Sequence, residues 1–139
     1  MKILHFVGGD LKSGSSKAVL ILSKNLKKNK INSKIYNKNS KTKILYEKIF
    51  KRINLQPQNT TISLGLFGTD FFKNKDYKEA DIIHLHWINK SLININDIVK
   101  IDKPIVWTIR DMWPFTGVCH YSYDCERYVN SCGKCPQLK

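Results

Sequence analysis

The stretch MKILHFVGGDLKSGSSKAVLILSKNLKK, residues 1–28, reads as strand, glycine loop and helix, and that order decides the fold class. Ile3 to Val7 is a short β-rich run closed by Gly8 and Gly9. A polar loop follows, with Ser13, Ser15 and Ser16 as candidate helix caps around Gly14. Beyond it Ala18, Leu22 and Leu26 recur at four-residue spacing with Val19 beside them, giving one apolar helix face, while Lys17, Lys24, Lys27 and Lys28 fall toward solvent. A strand delivered through glycines into a helix opens a Rossmann-like α/β unit.

The rest of the chain continues that alternation. Ser33 to Tyr36 is a short second strand, and Thr42 to Leu55 is a second helical pattern in which Leu45, Ile49 and Ile53 align beside Tyr46 and Phe50. Thr60 to Phe67 is strand-like, and Asp81 to Trp87 is a clearer strand whose β-rich centre ends in polar residues. Leu92 to Ile101 reads as a helix, and Lys103-Pro104 introduces Ile105 to Ile109, an apolar run of the kind buried in parallel sheets. From Met112 the pattern turns irregular and rich in Cys, Gly, Pro and aromatics. The expected fold is therefore α/β, a Rossmann-like parallel sheet flanked by helices, with an irregular Cys-rich segment over residues 112–139. With 139 residues there is one domain and no room for two, and 42% apolar, 11% aromatic and 25% charged residues exclude disorder, collagen and coiled coil. The first apolar run is too short for a signal sequence and no run is long enough to span a bilayer, so the expected location is the cytoplasm, in solution or at a surface.

The net charge of +13 is concentrated. Between Lys12 and Arg52 twelve Lys and one Arg face a single acid, Glu47, leaving +12 there and a nearly neutral remainder. Such a region is either a solvated face or a docking surface for something acidic. Nucleic acid is a poor fit, because only one of these cations is Arg and most aromatics lie elsewhere. In the second helix Ile44, Leu45, Ile49, Phe50 and Ile53 lie beside Lys43, Lys48, Lys51 and Arg52. That pattern suits a helix resting on anionic lipid, and equally an ordinary helix covering one sheet face.

Three groups of residues carry chemistry. Gly8, Gly9, Gly14 and Ser15 before a helix form a candidate phosphate cradle, although they match no dinucleotide or P-loop fingerprint and a plain strand-to-helix turn looks the same. His84 and His86 share a strand face, and Asp111 at a neighbouring strand end would join them in a polar cluster for a sugar hydroxyl or a metal; the alternative is one buried, satisfied imidazole and one loop cap. Cys119, Cys125, Cys132 and Cys135, closing on Cys132-Gly133-Lys134-Cys135, leave three alternatives open: a structural zinc, disulfide or redox pairs, or reduced thiols packed in a loop.

Asp81-Ile82-Ile83-His84-Leu85-His86-Trp87-Ile88, the run from Pro104 through Trp107, Arg110, Asp111 and Trp113 to Gly117, Cys119-His120-Tyr121, Cys125 to Tyr128, and Cys132 to Leu138 form an ordered series of motifs. This series closely resembles the amino-terminal part of bacterial family 4 glycosyltransferases that build capsular and lipopolysaccharide chains. The likeness is strongest from Asp81 onward and loose from Asn37 to Asn74. It implies a GT-B enzyme with an acceptor-side lobe and a second lobe holding the nucleotide sugar, retaining transfer in the cleft between them, and no catalytic metal. Residues 1–139 would be an incomplete acceptor-side lobe of a truncated parent, with the donor lobe absent. The resemblance assigns catalysis to His86, Arg110 and Asp111, the donor phosphates to Gly8, Gly9, Gly14 and Ser15, and the acceptor cleft to His84, Trp87, Trp113, Thr116 and His120. Where the family often has His before this Asp, the chain has Arg110, whose guanidinium suits a phosphate or a sugar carboxylate. The implied partners are a nucleotide sugar and a glycan acceptor, commonly lipid-linked at the inner membrane face, where Lys43, Lys48, Lys51 and Arg52 would meet anionic lipid. The competing expectation is a basic α/β binding module, or an inactive remnant, that engages anionic lipid or nucleic acid through residues 12–52.

Overall fold

A computed structural model describes residues 1–55 and 61–137. Strands β1 (Lys2–Phe6), β2 (Asn32–Tyr36), β3 (Ile82–Leu85) and β4 (Ile105–Trp107) form one sheet in the order β2-β1-β3-β4. Every pairing is parallel, with His5 opposite both Ile35 and His84, and His84 opposite Val106. Helices α1 (Gly14–Lys28), α2 (Lys41–Asn54), α3 (Lys75–Glu79) and α4 (Ile95–Ile98) lie between the strands, and a single 3-10 turn spans Arg127–Asn130. The α/β, Rossmann-like expectation holds, since parallel neighbours demand crossover connections and the glycine loop supplies the first of them.

The two sheet faces differ in chemistry. Leu4, Phe6, Tyr36, Ile83 and Leu85 point into an apolar core completed by Phe71, Tyr77, Ala80, Ile88, Leu92, Ile93 and Trp113. The opposite face carries Ser33, His5 and His84, and α1 lies over the Ser33 side, where the Ser33 hydroxyl donates to Ser23 Oγ at 2.8 Å. This polar floor rotates α1 away from its expected stripe. Ser16, Val19 and Ser23 are buried, Ala18, Leu22 and Leu26 only half-buried, and Leu20 and Ile21 are left in solvent. Ser13 caps the helix, its Oγ accepting from Ser16 N at 3.4 Å.

Three expectations are corrected. Residues 61–67 form no strand beyond an isolated antiparallel bridge between Ile62 and Cys119. Their backbone groups are taken elsewhere, Ser63 N by Val118 O and Leu64 N by the Glu47 carboxylate, and Gly65 at φ +67° breaks the extension; Thr60 lies outside the described residues. The helix expected over 92–101 is reduced to Ile95–Ile98, because Leu92 and Ile93 are drawn into the core and Asn94 starts the helix by accepting from Asn96 N. Helix α2 is inverted. Its buried residue is Glu47, held by Lys51 at 3.0 Å and the Ser91 hydroxyl at 2.9 Å, while Leu45, Tyr46, Ile49, Phe50 and Ile53 are 41–64% exposed. The alternative of α2 as an ordinary helix burying its apolar stripe on a sheet face is thereby overturned. No helix among the described residues is long and apolar enough to cross a membrane.

Candidate functional site

Parallel strands release their carboxyl ends at one edge, so the loops after β1, β3 and β4 converge there. The segments carrying Gly8, His86 to Ser91 and Arg110 to Asp111 meet at this edge. Gly8 donates its N–H to Trp87 O at 2.6 Å, and the Asn37 side-chain amide donates to Val7 O at 2.5 Å and Gly9 O at 3.1 Å. Gly9 takes φ +77° against the Trp87 ring. Thus Gly8 and Gly9 hold strand ends together, and only Gly14, exposed, and Ser15, half-buried, at the start of α1 present the outward, dipole-bearing end of the expected phosphate loop.

Two hydrogen-bond systems run from this edge into the protein. In the first, the exposed Arg110 places Nη2 3.5 Å from His86 Nδ1. A guanidinium only donates, so His86 Nδ1 accepts and its Nε2–H donates to His5 Nδ1 at 3.1 Å. His5 then donates from Nε2 to Ser33 Oγ at 3.0 Å, and Ser33 to Ser23, which fixes one tautomer on each ring. His5 and His86 are buried, and His84 stacks on His86 with centroids 4.0 Å apart while its Nε2 lies 2.7 Å from Thr108 Oγ1. Burial, then the His84 charge, lowers His5 to about 4. Burial, then the charges of His84, His5 and Arg110, lowers His86 to about 3. His84 is lowered too, by burial and then Arg110.

The ligand nitrogens of His5, His84 and His86 lie within 4.8 Å of one another, which is metal-like spacing. Uncharged imidazoles are the metal-binding form. Against that, His5 and His86 spend both ring nitrogens on each other, Ser33 and Arg110, and the guanidinium at the mouth repels a cation. The arrangement is best read as a polar chain that orients Arg110.

The second system centres on Asp111. Its Oδ2 accepts from Trp87 Nε1 at 3.1 Å and His120 Nδ1 at 2.5 Å, and its Oδ1 accepts from Trp113 N at 3.0 Å. His120 Nε2 accepts from the Asn89 amide at 3.1 Å and lies 2.9 Å from Ser63 Oγ. The expected residues are therefore split: His86 joins Arg110, while Asp111 joins Trp87 and His120. Trp113 is corrected from cleft to core, since it is buried and donates Nε1–H to Ser63 O at 2.7 Å. Thr116 donates to Cys119 O at 2.6 Å and locks a turn. Lys43 reaches inward to Gly68 O and Lys51 to Ile62 O at 2.5 Å, so neither faces outward, whereas Lys48 and Arg52 are exposed. The four cysteines are unpaired thiols, half-buried.

Sequence reading missed His5, Ser63, Asn89 and Glu47. A signal existed for His5, a polar residue between Leu4 and Phe6 on the face that His84 shares once β1 and β3 pair; Ser63 and Asn89 gave none, being brought to His120 only by tertiary folding. Replacing Asp111 by Asn should cost about 1–3 kcal/mol, because an amide cannot accept from Trp87, His120 and Trp113 at once and leaves a buried donor unpaired. Urea unfolding of the variant, followed by tryptophan fluorescence, measures this.

No family model matches the chain, and no solved structure matches it. It is similar to "Putative colanic acid biosynthesis glycosyl transferase WcaC" of Escherichia coli (strain K12), 29% identical over 124 aligned positions that cover 74% of this chain. The match spans 31% of that protein, so the chain corresponds to about a third of its length. This distant similarity supports a glycosyltransferase family and, with it, sugar donors and glycan acceptors as the general class of partner.

Proposed function

We propose that the chain forms the acceptor-side lobe of a retaining GT-B glycosyltransferase that moves a sugar from a nucleotide-sugar donor to a growing, lipid-linked polysaccharide. The observation that carries the reading is the convergence of Arg110, the Asp111–His120 pair and Trp87 at the carboxyl edge of a parallel sheet, where α/β folds place ligands. Similarity to a colanic acid glycosyl transferase supports the same class. In this reading Trp87 offers a half-buried ring for a sugar face, and Arg110 an exposed charge for the departing diphosphate or a sugar carboxylate. The first turn of α1 adds its dipole, and a donor lobe outside these 139 residues grips the nucleotide. Titration of the chain with nucleotide sugars and with lipid-linked oligosaccharides, read by tryptophan fluorescence, tests it. Saturable glycan binding with weak or absent nucleotide-sugar binding is expected; tight nucleotide-sugar binding by the chain alone sinks the lobe assignment.

The inverted helix α2 favours a peripheral membrane position for that lobe. Leu45, Tyr46, Ile49, Phe50 and Ile53 form one exposed apolar face, flanked by Lys48 and Arg52 within the most basic third of the chain. In co-sedimentation the protein should pellet with anionic vesicles and not with neutral ones. Ile49→Glu with Ile53→Glu should weaken binding at least ~10-fold without loss of stability, since each exposed Ile is worth roughly 1.5–3 kcal/mol when buried in lipid. Equal binding to neutral vesicles would count against the charge-assisted reading.

A further inference from the structure

The segment after His120 has no core of its own. From Tyr121 to Gln137 no residue is buried, Tyr121, Tyr123 and Val129 stand in solvent, and regular structure is limited to the 3-10 turn Arg127–Asn130. Apolar burial therefore does not explain how this segment is held, and a segment so poor in core ordinarily relies on a covalent or metal cross-link. Three cysteines, Cys125, Cys132 and Cys135, lie within it and Cys119 lies just before it, and thiols can supply either kind of cross-link. They line a single cavity of about 270 Å³ together with Thr116, Gly117 and Arg127.

The backbone at the Cys132–Cys135 end of the cavity is curled. Ser131, Cys132 and Lys134 take φ of 110°, 57° and 51°, a left-handed curl around Gly133 that turns Cys132 and Cys135 to the same cavity. Gly117 donates its N–H to Cys132 Sγ at 3.2 Å, a bond that stabilises a sulfur carrying negative charge. A side chain at Gly117 would put Cβ 3.3 Å from Cys132 Cβ and 3.6 Å from its sulfur, so glycine keeps that amide within reach. The four sulfurs border this one cavity, but among the described residues it is His5, His84 and His86 whose ligand atoms already lie within 4.8 Å of one another, so zinc would have to draw the sulfurs together. Arg127 lines the cavity and Lys134 sits within its knuckle, and both offset the charge of a tetrathiolate site.

We propose that Cys119, Cys125, Cys132 and Cys135 bind one zinc ion in a closed tetrahedral site that clips the carboxy-terminal segment onto the sheet edge. On binding, each thiol releases its proton to solvent and its sulfur becomes a ligand, so four Sγ–H bonds are exchanged for four Zn–S bonds without redox change. The clip has a consequence for the candidate site. Cys119 bridges to Ile62, and the next residue, His120, holds Asp111. Zinc thus fixes the segment that carries His120, and this holds whatever the protein transfers or binds.

The 139-residue chain, untagged and purified without chelator, should contain about one zinc per chain by elemental mass spectrometry. Cobalt(II) in place of zinc should give thiolate-to-metal charge-transfer and tetrahedral d–d absorption. Cys132→Ser and Cys135→Ser should each weaken retention against a competing chelator ~100-fold or more, while His84→Gln leaves it unchanged. Chelation should also alter the fluorescence of Trp87, which shares Asp111 with His120. Four freely alkylated thiols with no bound metal would overturn the proposal. So would an intact mass lighter by the hydrogens of disulfides, or metal lost in His84→Gln and kept in the cysteine variants. The cobalt spectrum of the unaltered chain decides the matter even if a cysteine variant fails to fold.

Discussion

Acidification from pH 7 to about 4 is expected to remove on the order of 5 kcal/mol of stability, most of what a domain of this size has, with the loss beginning just below pH 6.5. His5 and His86 ordinarily titrate near 6.5 but are lowered to about 4 and about 3 in the folded protein. Above 6.5 both are uncharged whether folded or not, and their contribution is fully present. Between 6.5 and the lowered values the unfolded chain takes up protons that the folded one refuses, at a cost of about 1.4 kcal/mol per pH unit per histidine. The two rings repel each other when charged, so their losses do not add in full. The ordinary carboxylate range lies below pH 5, so the interval from 6.5 to 5 reports on histidines. Urea midpoints measured at pH 7, 6 and 5 should fall steadily; a flat response over that interval would show that the buried imidazoles are not held uncharged. The same chemistry links stability to the site, because an uncharged His86 keeps Nδ1 as the acceptor for Arg110.

The layout of the sheet was readable because its signals are local. Three of the four strands are β-rich runs, and Gly8 and Gly9 after β1 and Pro104 before β4 punctuate two of their boundaries. The helices were harder to place because their burial depends on what lies beneath them. A periodicity argument buries Leu22 and Leu26 of α1, yet the floor is Ser33 and His5, and the buried positions are Ser16, Val19 and Ser23. In α2 the argument fails completely. Periodicity finds the apolar face but cannot tell that Glu47, joined to Ser91 and Leu64, is the anchor and that the apolar face is the one left outside. The candidate site divides in the same way. His86, Arg110 and Asp111 were identifiable from strand ends and resemblance, but their separation into two systems was not, since it depends on His5, Ser63, Asn89 and His120 reaching them across 9 to 81 positions of sequence.

Replacing Gly8 by Ala should destabilise the protein by about 3 kcal/mol or more, whereas Gly14→Ala should leave it unchanged or up to ~1 kcal/mol more stable. The two glycines belong to one loop and were assigned one role, yet their surroundings are opposite. A Cβ on Gly8 would lie 2.4 Å from Asn89 O and 3.1 Å from Trp87 O. Both are backbone oxygens in the turn after β3, so the clash cannot be relieved by a rotamer and must push β1 and that turn apart. The bond from Gly8 N to Trp87 O at 2.6 Å would break with it. Asn89 also donates to His120 and Trp87 to Asp111, so any displacement there reaches the candidate site. Gly14 has nothing within 4 Å of its would-be Cβ and stands at the first position of α1, where Ala lowers the entropy of the unfolded chain and favours the helix. Thermal unfolding of both variants separates a packing role from a ligand role. If Gly8→Ala melts like the unaltered chain, the close approach of β1 to the β3 turn is wrong. If Gly14→Ala keeps its stability but loses donor binding once a donor lobe is supplied, the amino-terminal turn of α1 retains its place as the phosphate-facing part of the loop.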